Sequence, residues 1–187
     1  MQFIYRMVAR FLAKHQGLTQ RLLERAQRTP YSTLMTRDGK AEYMRRWWLF
    51  NAYESADGQP LKRNSFMRLL PSIRFHEILR ADDDEHMHDH PWDAQTLVLR
   101  GWYIEEREDL YPEVDPYPGH DPKPLCSYLA AGSTTSLKFG EFHRIKAVSA
   151  SRRQQTLTLF ITFRYGGTWG FKVDGHKVPW REYLGVQ

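Results

Sequence analysis

The run His86-Met87-His88-Asp89-His90-Pro91-Trp92-Asp93 carries three histidines at every second position. Side chains at positions i, i+2 and i+4 of an extended strand point to the same face. Whichever part of the run is extended therefore directs two or three imidazoles toward one point. A single histidine is more often structural, but a cluster of imidazoles suits zinc, iron, copper or nickel. The run therefore predicts a metal site.

The composition is that of one folded domain. The 187 residues are 41% hydrophobic and 14% aromatic, which favours a globular chain with a sizeable core over a disordered one. The single cysteine, Cys126, excludes an internal disulfide framework and a cysteine zinc finger, and a reducing compartment is the default. The sequence has no run of about 18 apolar residues, so no membrane span is predicted. The first residues make a poor signal peptide, and we expect a cytoplasmic protein.

The formal net charge of +5 is unevenly distributed along the chain. Residues 1–80 carry +9, residues 81–125 carry −10 and residues 126–187 carry +6, which sum to +5. A basic N-terminal part could attract nucleic acid or an anionic membrane surface. A solvated basic face that partly neutralises the acidic middle of the chain is the simpler interpretation.

Residues 3–26 have the periodicity of an amphipathic helix, which Gly17 could divide into two. The apolar face needs a partner: the body of the protein, a second subunit or a membrane surface. We expect it to pack on the chain's own core or on a dimer partner, so a homodimer is predicted. Residues 1–50 are therefore interpreted as a helical arm and residues 51–187 as a β-barrel domain. The aromatic and basic residues 41–53 are interpreted as an early strand or helix that packs into the core.

Short strands separated by turn residues fill the rest of the chain. An acidic turn at residues 82–85 is interpreted as solvated, and a proline-rich surface loop is expected at residues 107–125. Strand patterns cover residues 72–80, 95–100, 102–106, 127–130, 134–139, 142–148, 155–165 and 168–173. A helical arm followed by many short antiparallel strands predicts an all-β sandwich or a closed jelly roll.

The histidine run and a later Gly-His pattern together resemble the two motifs of the cupin superfamily. The His-x-His pair of the first cupin motif matches His88-Asp89-His90, and its closing glycine matches Gly101. The glycine and the distal histidine of the second motif match Gly140 and His143. The resemblance covers about residues 72–173. It implies an all-β double-stranded β-helix, the cupin jelly roll, with an N-terminal α-helical extension.

The chain departs from the cupin pattern at the acidic ligand. That position is occupied by Ala94. The resemblance therefore implies a site of three histidines, His88, His90 and His143, similar to the cupin thiol dioxygenases that hold ferrous iron by three histidines. The implied cofactor is a divalent transition metal: iron, nickel or zinc. The His-Asp-His-Pro-Trp run also looks like a group of uncharacterised bacterial and phage cupin-like proteins, which implies no established substrate.

Three more residues could add to the ligands or support them. His86 would replace His90 if the strand register were shifted by two, and His76 could also face the barrel interior. Asp93 could supply a fourth ligand. The candidate residues of a substrate pocket are Trp92, Gln95, Arg100 and Tyr103. Asp89 and Glu105, with Asp93 and Gln95, are candidates for orienting the imidazole rings.

Three classes of function remain open. The first is a small-molecule metalloenzyme, an oxidoreductase of the dioxygenase type. The second is a metal-free epimerase or isomerase in which His90 acts as a general base with Asp93 or Tyr103. The third is a ligand-sensing cupin without catalysis, whose basic arm touches nucleic acid. The third ranks last because the arm lacks a helix-turn-helix signature.

Overall fold

The computed structural model describes residues 1–108, 124–149 and 155–185. The helices are α1 (Gln2–Lys14), α2 (Gln16–Ala26), α3 (Ser65–Leu69) and α4 (Trp180–Leu184). The strands are β1 (Leu34–Met35), β2 (Glu42–Phe50), β3 (Ser72–Ile78), β4 (Trp92–Arg100), β5 (Trp102–Arg107), β6 (Leu125–Ala130), β7 (Thr134–Leu137), β8 (His143–Val148), β9 (Thr156–Tyr165), β10 (Gly170–Val173) and β11 (His176–Pro179). Most of the loop predicted at residues 107–125 lies outside the described residues. None of the described helices is both long enough and apolar enough to span a membrane.

Two antiparallel sheets form the body of the protein. The larger sheet has the order β1-β2-β3-β9-β4-β7, and the smaller sheet has the order β6-β5-β8. His88 extends the smaller sheet because it exchanges two backbone hydrogen bonds with His143, the first residue of β8. Four strands (β3, β9, β4 and β7) thus pack against four segments: the His88 segment, β8, β5 and β6. This double-sheet arrangement confirms the predicted all-β jelly roll with N-terminal helices.

Strand β4 shows how the sequence fills both sides of the larger sheet. Ala94 and Val98 lie in the inner core between the sheets, whereas Leu97 and Leu99 lie on the opposite face. Neighbouring residues of a strand point to opposite faces, so a strand covered on both faces has an almost continuous apolar run. The inner core also contains Met44, Ile78, Tyr103, Leu129, Leu137, Ile145 and Phe160.

Helices α1 and α2 cover the outer face of the larger sheet. Ala9 of α1 and Leu23 of α2 belong to the same buried cluster as Phe75, Leu97 and Leu159 of the sheet. The inner side of the predicted amphipathic helix therefore packs on the body of its own chain, which is one of the three partners considered for it.

The break between the two helices falls at His15, two residues before the predicted Gly17. The hydroxyl of Thr19 donates a hydrogen bond of 2.7 Å to the carbonyl of Leu12. That carbonyl lies in the last turn of α1, where helical carbonyls lack a partner within their own helix. The side chain of Thr19 thereby stabilises the junction.

Replacing Thr19 with valine is expected to lower the free energy of unfolding by about 1–2 kcal/mol, because the buried carbonyl of Leu12 loses its hydroxyl donor. Urea denaturation followed by circular dichroism measures the change. Thr29→Val, at an exposed position, is the matched control and is expected to change the stability little. Equal stability of both variants and the wild type would contradict this role of Thr19.

Strand β2 belongs to the larger sheet and not to the helical arm. It pairs with β3 in a register that places Met44 opposite Ile78 and Trp47 opposite Phe75. The domain boundary expected at residue 50 therefore lies at the end of a strand inside the sheet, and the N-terminal helices end at Ala26. The aromatic run 41–53 packs inward in part, since Trp48 is only 2% exposed.

Candidate metal centre

Three imidazoles converge where the His88 segment meets β8. Each of His88, His90 and His143 offers a ring nitrogen, and these three atoms all lie within 4.8 Å of one another. Nε2 of His90 and Nε2 of His143 are 2.9 Å apart. The backbone bridge fixes His88 opposite His143, and the ring centres of His88 and His90 are 5.2 Å apart. The structure thus brings together the three residues that the cupin resemblance implies as ligands.

One pair of ring nitrogens has the spacing expected for two ligands of a single metal ion. Two nitrogen ligands at about 2.1 Å from one ion and at right angles to each other lie about 3 Å apart. The observed separation of 2.9 Å between Nε2 of His90 and Nε2 of His143 agrees with that value. Imidazole donors suit iron, nickel and zinc. The three-histidine cluster could therefore hold a divalent transition metal ion.

Glu105 orients the imidazole of His143. Its Oε1 lies 2.9 Å from Nδ1 of His143, so the carboxylate accepts a hydrogen bond from Nδ1–H and leaves Nε2 of the ring directed toward the cluster. Arg107 donates a hydrogen bond of 2.9 Å from Nε to the other oxygen, Oε2, and its Nη2 lies 2.8 Å from the same oxygen as part of the ion pair. Burial would raise the pKa of Glu105, but His143 and Arg107 lower it below its ordinary value. Glu105 is therefore ionised at neutral pH.

Burial disfavours the charged form of the imidazoles of His88 and His90. Burial lowers the pKa of His88 to about 4, although the nearby carboxylate of Asp82 opposes the shift. Burial, followed by the neighbouring His143 and His88, lowers the pKa of His90 well below its ordinary value. Neutral imidazole is the form that binds metal ions. Both rings are therefore ready to act as ligands without first releasing a proton.

Aromatic rings surround the histidine cluster. The ring centres of Trp92 and Phe160 lie 6.1 Å and 5.8 Å from that of His90. On the other side, the ring of Trp169 lies 6.2 Å from that of His88. These apolar walls limit the access of water, which strengthens electrostatic interactions within the site.

Asp82 contributes to the site although it was expected to lie in a solvated turn. Its Oδ2 lies 3.9 Å from Nδ1 of His88 and accepts a hydrogen bond of 2.7 Å from the backbone N–H of Ile145. Its Oδ1 accepts a hydrogen bond from the hydroxyl of Tyr43. Asp82 is one of four consecutive acidic residues, so no sequence signal distinguishes it from the others.

His86 and Asp93 point away from the cluster. Nδ1 of His86 lies 3.1 Å from the hydroxyl of Tyr183. Oδ1 of Asp93 accepts a hydrogen bond of 3.0 Å from the backbone N–H of Phe139. Within the described ranges, neither side chain belongs to the group of donor atoms that meets at the three histidines. The shifted register that would replace His90 by His86 is therefore not the one observed.

His76 does face the barrel interior, but it is engaged with Arg74. Nε of Arg74 donates a hydrogen bond of 2.9 Å to Nε2 of His76, and the His76 ring stacks on Phe160 with centres 4.7 Å apart. Burial, followed by the charge of Arg74, lowers the pKa of His76 well below its ordinary value. His76 thus supports the wall of the site from behind Phe160 and lies outside the three-histidine cluster.

Arg74 is buried among aromatic rings on the same side of the site. Its guanidinium carbon lies 4.9 Å from the ring centre of Trp92 and 4.9 Å from that of Phe160. Its Nη1 donates a hydrogen bond of 2.9 Å to the hydroxyl of Tyr53. Cation–π contacts of this kind are favourable when the cation is shielded from water. No sequence pattern points to Arg74, because an isolated arginine on a strand carries no distinctive signal.

The four predicted pocket residues separate into two groups. Trp92 lies beside His90, and Tyr103 lies in the inner core with a pKa that burial, followed by the charge of Glu105, raises well above its ordinary value. Gln95 and Arg100 lie on the outer face of the larger sheet.

Gln95 and Arg100 contact the N-terminal helices and not the histidines, which corrects their assignment to the pocket. The side-chain oxygen of Gln95 accepts a hydrogen bond of 3.2 Å from Gln2, since odd-numbered residues of this strand face outward. Arg100 donates a hydrogen bond of 3.2 Å to Gln16. The register of β4 against β9 shifts between Val98 and Arg100, and such an irregularity redirects a side chain.

Replacing Glu105 with alanine is expected to weaken metal binding by about 10–100-fold, because His143 loses the partner that fixes its ring and its tautomer. Isothermal titration of the metal-free protein with zinc measures the affinity. Glu108→Ala is the control, since Glu108 pairs with Lys172 and does not contact the histidines. A folded Glu105→Ala variant with unchanged zinc affinity would contradict the assigned role.

The fold and the site together define a jelly-roll protein with a three-histidine cluster, in which His143 is buried and His88 and His90 are partly buried. No protein-family model matches the sequence, and no curated protein matches it. The chain is similar in structure to Fe(II)-HppE with the alternative substrate (S)-1-HPP: the TM-score is 0.45 and the identity 14%, over 74% of this chain and 57% of that chain. It is also similar to hydroxypropylphosphonic acid epoxidase from S. wedmorenis: the TM-score is 0.39 and the identity 13%, over 70% of this chain and 55% of that chain.

A third similar structure is a vicilin from Corylus avellana (hazelnut). It has a TM-score of 0.48 and an identity of 12%, over 79% of this chain and 34% of that chain. This chain therefore spans little more than half of the first of these proteins and about a third of the vicilin. Similarity at this level does not indicate an activity for this chain.

Proposed function

We propose that this protein binds one divalent transition metal ion, iron, nickel or zinc, through His88, His90 and His143. The observation that carries the proposal is the convergence of the three ring nitrogens within 4.8 Å. Glu105 supports it, because a carboxylate on the far nitrogen of a ligating histidine is the common partner in metal sites. The low pKa values of His88 and His90 also support the proposal, because two of the proposed ligands would not have to release a proton before they bind the ion.

We further propose that the protein is a small-molecule metalloenzyme of the dioxygenase type. Three protein ligands leave coordination positions open, which on iron can take a small molecule and dioxygen and on zinc can take water. The chain's own residues have defined tasks in this proposal. Glu105 orients His143, and Trp92 and Phe160 shield the site from water. Tyr103 is held protonated by its burial.

The test is metal analysis of protein purified without a histidine tag. About one ion of iron, nickel or zinc per chain is expected, since one set of three histidines holds one ion. Protein that contains no metal and takes up none on reconstitution would overturn the proposal. The dioxygenase part is tested separately, by oxygen uptake of the iron-loaded protein with a panel of small molecules. Metal binding without any turnover would instead leave a ligand-sensing protein.

A specific observation also supports a second function, metal-free acid–base catalysis of the epimerase or isomerase type. Nε2 of His90 lies 2.9 Å from Nε2 of His143, and Nδ1 of the same His143 ring lies 2.9 Å from Oε1 of Glu105. Such a chain can pass a proton between a substrate and a buried carboxylate. The expected partner Asp93 is bound to a backbone N–H instead, so Glu105 takes its place in this proposal. Activity that survives complete chelation would favour this function over the first.

A further inference from the structure

Helix α1 carries an apolar stripe on the side that faces away from the sheet. Phe3, Ile4, Met7 and Phe11 form this outer stripe, and they are 73%, 61%, 57% and 53% exposed. The opposite side of the helix is already packed, since Ala9 is fully buried against the sheet. The outer stripe is therefore a second apolar face and not a loosely packed part of the core. Single exposed apolar residues are common, but a contiguous group marks an interaction surface.

A row of basic side chains runs along one edge of the outer stripe. Arg6, Arg10 and Lys14 are spaced by four residues, so they lie one above another on the helix. Residues 1–28 contain six arginines and lysines but only one acidic residue, Glu24. The segment α1 itself contains no acidic residue. A partner that covers the outer stripe therefore has to accept positive charge along one edge of the stripe.

This charge pattern selects the partner. A second copy of α1 placed on the stripe would bring two basic rows together without acidic counter-charges in either helix, and like charges repel. Nucleic acid would accept the charge but offers no apolar layer for the stripe. An anionic lipid surface accepts both, since apolar side chains enter the acyl boundary while arginine and lysine remain at the headgroups. The 13 residues of α1 are fewer than the roughly 20 needed to cross a bilayer.

We propose that α1 binds the surface of an anionic lipid bilayer, lying in its plane with Phe3, Ile4, Met7 and Phe11 inserted. This inference goes beyond the proposed metal chemistry and does not depend on it, because the outer stripe lies on the helix face opposite the one that packs against the jelly roll. The protein would then work at a membrane surface, with the histidine cluster in the domain held next to it.

Flotation of the full chain with lipid vesicles tests the proposal. The vesicles are phosphatidylcholine with phosphatidylglycerol at a ratio of about 7 to 3, compared with pure phosphatidylcholine. The wild type is expected to float with the anionic vesicles and to be released by high salt, because the attraction of basic residues to anionic lipid is screened. The triple variant Phe3→Ser, Met7→Ser, Phe11→Ser is expected to bind at least about a hundredfold more weakly. Arg6→Gln with Lys14→Gln should weaken binding about thirtyfold.

The control is Phe66→Ser with Leu69→Ser, which removes two equally exposed apolar side chains, 66% and 83% exposed, from α3. This control is expected to float like the wild type, and thermal unfolding verifies that all variants are folded. Wild-type protein that stays unbound with anionic vesicles would overturn the proposal. So would equal flotation of the triple variant, or a wild-type dimer that the triple variant loses, since the stripe would then be an interface between copies.

Discussion

His143→Ala is expected to abolish metal binding. The variant removes one of the three proposed ligands, and the two that remain, His88 and His90, come from one short segment. The loss should therefore exceed the effect of about 10–100-fold expected when an outer partner such as Glu105 is removed. Metal analysis and calorimetric titration with zinc measure it directly.

His176→Ala is the matched control for this prediction. His176 is an exposed histidine on β11, so its loss removes an imidazole without touching the cluster. It is expected to retain about one ion per chain, the capacity of one three-ligand site. If His143→Ala retained the wild-type metal content, the ion would be held elsewhere and the three-histidine assignment would be wrong.

Lys177→Met is expected to cause the largest loss of stability, about 3–5 kcal/mol, because it leaves a buried carboxylate without its cation. Asp89 lies between two of the proposed ligands and is fully buried. It accepts hydrogen bonds from the ammonium group of Lys177 and, at 2.7 Å, from the backbone N–H of Gly170. These bonds tie the histidine segment to β10 and β11, and urea denaturation measures the free energy of unfolding.

Two further variants test whether the buried charge of Asp89 causes this loss of stability. Asp89→Asn combined with Lys177→Met removes both charges, so the double variant should be more stable than Lys177→Met alone. Lys172→Met breaks the pair with Glu108, whose side chain is 30% exposed, and is expected to cost less than about 1 kcal/mol. Equal losses for Lys177→Met and Lys172→Met would show that the burial of Asp89 does not matter.

Much of the fold could be predicted from the sequence because its strands have clear patterns. Strands β4 and β9 contain apolar segments, residues 97–99 and 159–161, which are covered on both faces and stand out by composition. The helix break was placed at Gly17 because glycine weakens helices, but the side-chain bond from Thr19 to Leu12 fixes it at His15. The sequence predicts that residues 41–53 form a strand or helix that packs into the core, and the pairing of β2 with β3 makes residues 42–50 a strand of the larger sheet.

The three-histidine cluster could be predicted as well, since His88 and His90 share one motif and His143 belongs to the other. The outer partners could be predicted only in part. Glu105 was one of four candidates, and only the pairing of β5 with β8 brings it to His143. Gln95 and Arg100 were expected in the pocket, because the sequence does not show which face of β4 is directed to the barrel interior. The register shift after Val98 has no signal in the sequence.

Anomalous diffraction at the absorption edge of the metal tests whether His88, His90 and His143 hold one metal ion. Crystals of tag-free protein should show one anomalous peak about 2.0–2.2 Å from Nε2 of His90, Nε2 of His143 and a ring nitrogen of His88. The same crystals grown from His143→Ala should lack the peak. A peak elsewhere in the chain, or none between the three imidazoles of metal-reconstituted protein, would contradict the account.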